Sequence, residues 1–164
     1  MAVPPSSASP LFLREAEIRR GVELLYFGYS HMTRAIDERL AAEGLGRAHH
    51  RALYFIARQP DLTVSTLLSL LAVTKQSLGR VLGDLTERAL VEARIGRDDR
   101  RQRLLRLTTS GAALEAELFE ALRARVSAAY VEAGPGAVAG FWQVLEGLIP
   151  PSERARIAKL RGGL

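Results

Sequence analysis

Cysteine is absent from all 164 residues, which excludes disulfides, thiolate metal sites and any thiol-based redox switch. Histidine is scarce, limited to His31, His49 and His50. His49 and His50 are adjacent, so on a helix they point about 100° apart and cannot chelate one ion without outside ligands. No metal and no cofactor are therefore expected. Aromatic residues make up only 6% of the chain, which leaves most of the packing to aliphatic side chains. No apolar run approaches about 18 residues, the length that a membrane-spanning helix needs. The opening MAVPPSSASP lacks a basic n-region and an apolar h-region, so residues 1–10 read as a flexible tail rather than a secretory signal. These absences fit a cytoplasmic protein. A serine nucleophile motif, a Gly-rich phosphate loop and paired carboxylates are missing too, so nothing argues for an enzyme.

What the chain does have is an uneven distribution of charge. The formal net charge is +5, and residues 47–110 hold 12 basic against 6 acidic side chains while the remainder holds 11 against 12. The middle segment thus carries the whole excess, the electrostatic footprint of a nucleic-acid face. Its densest part is VEARIGRDDRRQRLLRLT at residues 91–108. Two β-prone runs, Val91 to Ile95 and Arg103 to Thr108, flank a turn-rich tip containing Arg97, Arg100 and Arg101. Arginine forks match phosphate geometry and fit narrow grooves. Taken alone, the hairpin is equally well a solvated charged surface.

Its neighbours settle the reading. Ile18, Val22, Leu25, Tyr29, Met32, Ile36 and Leu40 recur at helical steps, which predicts one helix from Leu13 to about Ala42. Such a helix would run roughly 45 Å, longer than one small core covers, so part of its stripe is expected to meet another chain. A second helix is expected over His49 to Arg58, stopped before Pro60. A third covers Val64 to Leu71, capped by Asp61 or Thr63. After a tight break at Ala72-Val73, Thr74 caps a fourth helix reaching about Ala89, with Leu78, Val81, Leu82 and Leu85 facing inward. Beyond the hairpin, Thr108-Thr109-Ser110 caps a fifth helix from Gly111 to Ala133. Gly134-Pro135-Gly136 breaks it, and a sixth helix (Ala137 to Leu148) and a short one from Ser152 follow.

The third and fourth helices are joined closely enough for a helix-turn-helix. Burying Val64, Leu67, Leu68 and Leu71 against the fourth helix leaves Lys75, Gln76, Ser77, Gly79, Arg80, Gly83 and Asp84 facing outward. Thr74, Lys75, Gln76 and Ser77 stand at the fourth helix's N-terminus, where free amides favour phosphate and the first side chains reach base edges. Gln suits adenine and Arg suits guanine. Gly79 and Gly83 cost about 1 kcal/mol each relative to Ala, and their bareness would admit a close backbone.

Residues 47–111 resemble the winged helix-turn-helix of the MarR family of bacterial transcription regulators. TVSTLLSLLAVTKQSLGRVLGDL is similar to that family's helix-turn-helix, and RDDRRQRLLRLTTSG to its wing, with the Asp-x-Arg signature at Asp99-Arg100-Arg101 and a Thr-x-x-Gly helix start. Ala72 and Ala89 stand where the family often has Gly, Leu68 where it has a small residue, and Ala93 where it often has Arg. The resemblance implies a mainly α, α+β winged-helix fold with a DNA-binding domain at 47–110 between dimerisation regions at 11–46 and 111–164. It further implies a homodimer on double-stranded DNA, with Gln76, Ser77 and Arg80 on bases, Thr74 and Lys75 on phosphates, and Arg97, Arg100 or Arg101 in the minor groove. Asp99 would orient a neighbouring Arg. Relatives hold a small effector in the crevice between lobes, for which Tyr29, His31, His50 and Tyr54 are the candidates here.

The expected function is a sequence-specific transcription regulator, a homodimeric repressor of nearby genes that a small ligand releases. Two alternatives use the same scaffold: a protein-interaction module, and an architectural DNA binder blind to sequence.

Overall fold

The computed structural model describes residues 11–96 and 99–161. The expected tail at 1–10 and the tip residue Arg97 lie outside the described residues. A single 3₁₀ turn, Leu11–Leu13, leads into helix α1, Glu15–Ala42. Then come α2 (Arg47–Arg58), strand β1 (Leu62–Thr63), α3 (Val64–Leu71) and α4 (Lys75–Glu87). Strands β2 (Val91–Ile95) and β3 (Arg103–Leu107) precede α5 (Thr109–Leu148) and α6 (Pro151–Arg161).

Local chemistry explains most boundaries. Thr63, Thr74 and Thr108 each sit at an N-cap, and each side chain accepts a hydrogen bond from the amide three residues on, satisfying a donor that the helix itself leaves free. Of the two caps expected for α3, Thr63 takes the role and Asp61 does not. Helix α2 begins at Arg47, two residues before the expected His49, because Gly46 in an extended conformation serves as its N-cap.

The sheet has three strands in the order β1-β3-β2, all antiparallel. The β2–β3 hairpin is the expected wing, with Val91 opposite Leu107 and Ile95 opposite Arg103. The third strand was not expected. It is two residues long, too short to leave an alternating pattern, and it exists because Leu62 finds a partner in Leu105.

One core joins the lobes. Leu53 and Ile56 of α2, Leu67 and Leu71 of α3, and Leu78 and Leu85 of α4 are buried together with Leu62, Val91 and Leu105 of the sheet. Ile36 and Leu40 from the end of α1 and Leu114 and Leu118 from the start of α5 complete it. Each such side chain contributes about 1.5–3 kcal/mol on burial. The other half of the α1 stripe stays uncovered: Ile18, Val22, Leu25 and Tyr29 are exposed.

Helix α5 contains one non-helical residue, Gly134, at φ 79° and ψ 165°. Twelve residues of straight helix would separate two positions by about 18 Å, yet the Trp142 indole N–H donates to the Tyr130 hydroxyl at 2.9 Å. The two limbs therefore bend towards each other at Gly134, where the break was expected. Pro135 follows at the first position of the second limb, where its missing N–H costs nothing.

Candidate nucleic-acid interface

Helix α4 rests on Leu78 and Leu85 and turns the opposite face outward. Lys75, Gln76, Ser77, Gly79, Arg80, Gly83 and Asp84 are all exposed, as the helical period requires once the leucines are inside. A Cβ added at Gly79 or Gly83 would meet nothing within 4 Å. The fold therefore does not demand glycine at either position. Thr74 Oγ1 accepts from the Ser77 amide at 3.1 Å and donates to Ser77 Oγ at 2.9 Å. Capping thus occupies the Thr74 hydroxyl, while the Ser77 hydroxyl keeps its own hydrogen for an outside acceptor.

Two bends that set the helix-turn-helix and the wing use residues ill suited to them. Ala72, in the turn between α3 and α4, lies at φ 51°, and Ala89, between α4 and β2, at φ 54°. Both are left-handed conformations that favour glycine. At the start of α5, by contrast, Gly111 is indispensable: an added Cβ would sit 1.9 Å from the Leu90 carbonyl oxygen. Thr108 bridges the same junction, donating to the Ala89 carbonyl at 2.6 Å and accepting from the Gly111 amide at 3.0 Å.

At the wing tip Arg100 and Arg101 are exposed, and among the described residues no ion pair takes up Lys75, Arg80, Arg100 or Arg101. Asp99 Oδ1 accepts from the Arg101 backbone amide at 2.9 Å. Its carboxylate thus holds the main chain at Arg101, the neighbouring arginine that Asp99 was expected to orient. Not every wing arginine is available for a ligand. Arg94 pairs with Glu92 at 2.6 Å, and Arg106 pairs with Asp61 through two hydrogen bonds. That hydrogen bonding holds the Asp61 carboxyl below its usual range, against a smaller opposing effect of burial.

The Asp61–Arg106 pair and a contact between His49 and Asp84 were not anticipated. Each joins residues 35 or more positions apart, and no local spacing signals such pairs. Asp61 carries one sequence hint, since Asp adopts positive φ more readily than most residues and it lies at φ 65°.

The four ligand candidates divide between two neighbouring cavities. Tyr29 and His31 line the larger, of about 740 Å³, between α1 and both limbs of α5. His50 and Tyr54 line the smaller, of about 450 Å³, with Phe119, Leu122 and Ser127. Met32, Val126 and Tyr130 belong to both linings. His50 is buried, its Nε2 has no hydrogen-bond partner among the described residues, and burial pushes its pKa down.

A helix-turn-helix packed on a three-stranded sheet, with an arginine-bearing β-hairpin beside the exposed helix, defines a winged helix protein. A model of the MarR family matches residues 43–102. The HTH-type transcriptional regulator PetP of Rhodobacter capsulatus is 51% identical over 157 residues, covering 96% of this chain and 95% of that protein. The chain belongs to the MarR family, which places it among transcription regulators rather than enzymes. Solved structures agree on the fold. A point mutant of MarR from E. coli, complexed with operator DNA, matches at TM-score 0.65 and 24% identity over 87% of this chain and 100% of that one. A MarR-family regulator from Silicibacter pomeroyi matches at 0.67 and 20% over 86% and 94%. PcaV of Streptomyces coelicolor, in complex with its natural ligand, matches at 0.59 and 16% over 87% and 96%. Among the described residues no helix is long and apolar enough to cross a membrane.

Proposed function

We propose that the protein is a homodimeric, sequence-specific DNA-binding repressor acting on nearby genes in the cytoplasm. The observation that carries this reading is the exposed N-terminal half of α4, with Gln76 and Arg80 uncommitted among the described residues, standing beside a wing whose tip presents Arg100 and Arg101. Gln76, Ser77 and Arg80 read base edges in the major groove. Lys75 and the first amides of α4 hold phosphate, with Thr74 fixing the helix start. Arg100 and Arg101, with Arg97, enter the flanking minor groove. The relative crystallised with operator DNA supports this arrangement by its shared fold.

Dimerisation falls to residues 11–46 and 111–164. Ile18, Val22, Leu24, Leu25, Phe141 and Trp142 are exposed on α1 and the second limb of α5, apolar side chains that a second copy would cover. A dimer built on them reads successive major grooves when its two α4 helices stand about 34–36 Å apart, one DNA turn. A small apolar effector entering beside His50 and Tyr54 would release the DNA by favouring a dimer whose α4 helices are wrongly spaced. PcaV, solved with its natural ligand, lends support.

A salt-titrated gel shift on the DNA upstream of the protein's own gene tests the reading. Nanomolar binding that weakens steeply with salt and survives competition by shuffled DNA is expected. Weak retention blind to sequence would favour an architectural binder. No retention at all would leave a protein-interaction module.

A further inference from the structure

The ring of His49 touches two elements at once. As the third residue of α2, it offers Nδ1 to the Gly46 amide at 3.1 Å, satisfying one of the donors that a helix start leaves free. With Nδ1 accepting, the ring proton belongs on Nε2. Nε2 lies 2.9 Å from Asp84 Oδ2, on the third turn of α4. The His49 side chain is only 15% exposed, whereas Asp84 is 53% exposed. A nearly enclosed donor thus reaches out from α2 to hold a carboxylate on the rim of the recognition face.

Helix α4 packs inward through Leu78 and Leu85. Those leucines decide which face of α4 points inward, but apolar contact is non-directional and leaves the finer rotation loosely set. A hydrogen bond to a charged acceptor, a turn beyond Arg80, does constrain rotation. Asp84 also makes sense here: a carboxylate on a DNA face repels phosphate, and its position is explained if its task is to be held by His49. We propose that His49 is a positioning residue for DNA recognition, acting through Asp84 to fix the rotation of α4 and thereby the aim of Gln76 and Arg80. The proposal rests on the DNA-binding reading above and adds to it a residue that touches no DNA.

The test must separate aim from stability, because His49 also caps α2. Gly46 has extended backbone and open space where a Cβ would stand, so Gly46→Ser supplies an independent cap. The double variant Gly46→Ser/His49→Ala therefore keeps a capped α2 and loses the link. His49→Gln keeps both, since an amide oxygen can accept from Gly46 while its NH₂ donates to Asp84. Affinity is measured by fluorescence anisotropy on a duplex that the wild-type protein selects from a random pool, in Asp84 and Asp84→Ala backgrounds, with melting temperatures alongside.

Gly46→Ser/His49→Ala should bind about tenfold more weakly at near-unchanged melting temperature, the size of one charge-assisted hydrogen bond. In the Asp84→Ala background the same change should cost less than about twofold. His49→Gln should bind like wild type. Equal loss in both backgrounds, or no loss in either, overturns the positioning role while leaving the DNA-binding reading intact. A wild-type protein that selects no duplex overturns both.

Discussion

The guanidinium of Arg106 grips the carboxylate of Asp61 with two nitrogens, Nε donating to Oδ1 at 2.6 Å and Nη2 to Oδ2. The Asp61 amide donates to the Leu105 carbonyl at 3.0 Å, so main chain and side chain together fasten β1 to β3. Thr63, two residues on, caps α3, and the pair therefore ties the base of the wing to the start of the helix-turn-helix. Arg106→Ala should lower the melting temperature and weaken DNA binding. If the weakening comes from a slack wing, it should largely vanish when Arg100 and Arg101 are already alanine. A titration series on the single and combined variants checks this.

The same pair sets a pH dependence. Arg106 holds the folded Asp61 carboxyl below its unfolded value. Its contribution is therefore present above the ordinary carboxylate range and is lost as pH falls through the folded value. Below about pH 4 the wild type should lose melting temperature with falling pH more steeply than Asp61→Asn does. Parallel curves would show that the pair adds nothing to stability.

Ala72 and Ala89 hold left-handed backbone at a cost of roughly 1–2 kcal/mol each. Ala72→Gly and Ala89→Gly should each stabilise the protein by about 0.5–1 kcal/mol once the greater freedom of unfolded glycine is counted. Gly111→Ala should do the opposite, costing about 3 kcal/mol or more, because the Leu90 carbonyl stands where the methyl would go. Urea melts of the three variants decide the signs.

Buried His50 supplies a second pH effect with its own window. Burial lowers its folded pKa below the unfolded value of 6.5, so the unfolded chain takes up the proton first. Stability is then intact above about pH 6.5 and declines as pH falls through the unfolded and then the folded value. His50→Gln should flatten the stability curve between pH 7.5 and pH 5, measured by thermal melts at fixed salt. An unchanged slope would place the dependence elsewhere.

Most of this architecture was legible in the residues. The helical steps from Ile18 to Leu40 located α1 and implied a partner for its outer half, and Ile18, Val22 and Leu25 are indeed uncovered while Ile36 and Leu40 are buried. Gly134-Pro135 marked the bend in α5 because only such residues interrupt a long helix cheaply. What stayed hidden depends on the chain meeting itself at a distance. Strand β1 forms only because Leu105 is brought to Leu62, and neither Asp61 with Arg106 nor His49 with Asp84 leaves any periodic trace. The arginines of residues 91–108 could be counted, but only their partners show that Arg94 and Arg106 are spoken for while Arg100 and Arg101 are paired with none of the described residues.

In the proposed complex α4 reads the major groove while the wing tip grips the minor groove, twice over, on one operator. Hydroxyl-radical footprinting of the wild-type complex, repeated with Gln76→Ala and with Arg101→Ala, tests it directly. Two protected windows about 10 base pairs apart are predicted, related by two-fold symmetry. Gln76→Ala should relax base preference within each window, and Arg101→Ala should erase the outer protections and lower affinity alike for every sequence. A single asymmetric window, or protections that neither variant alters, would contradict the account.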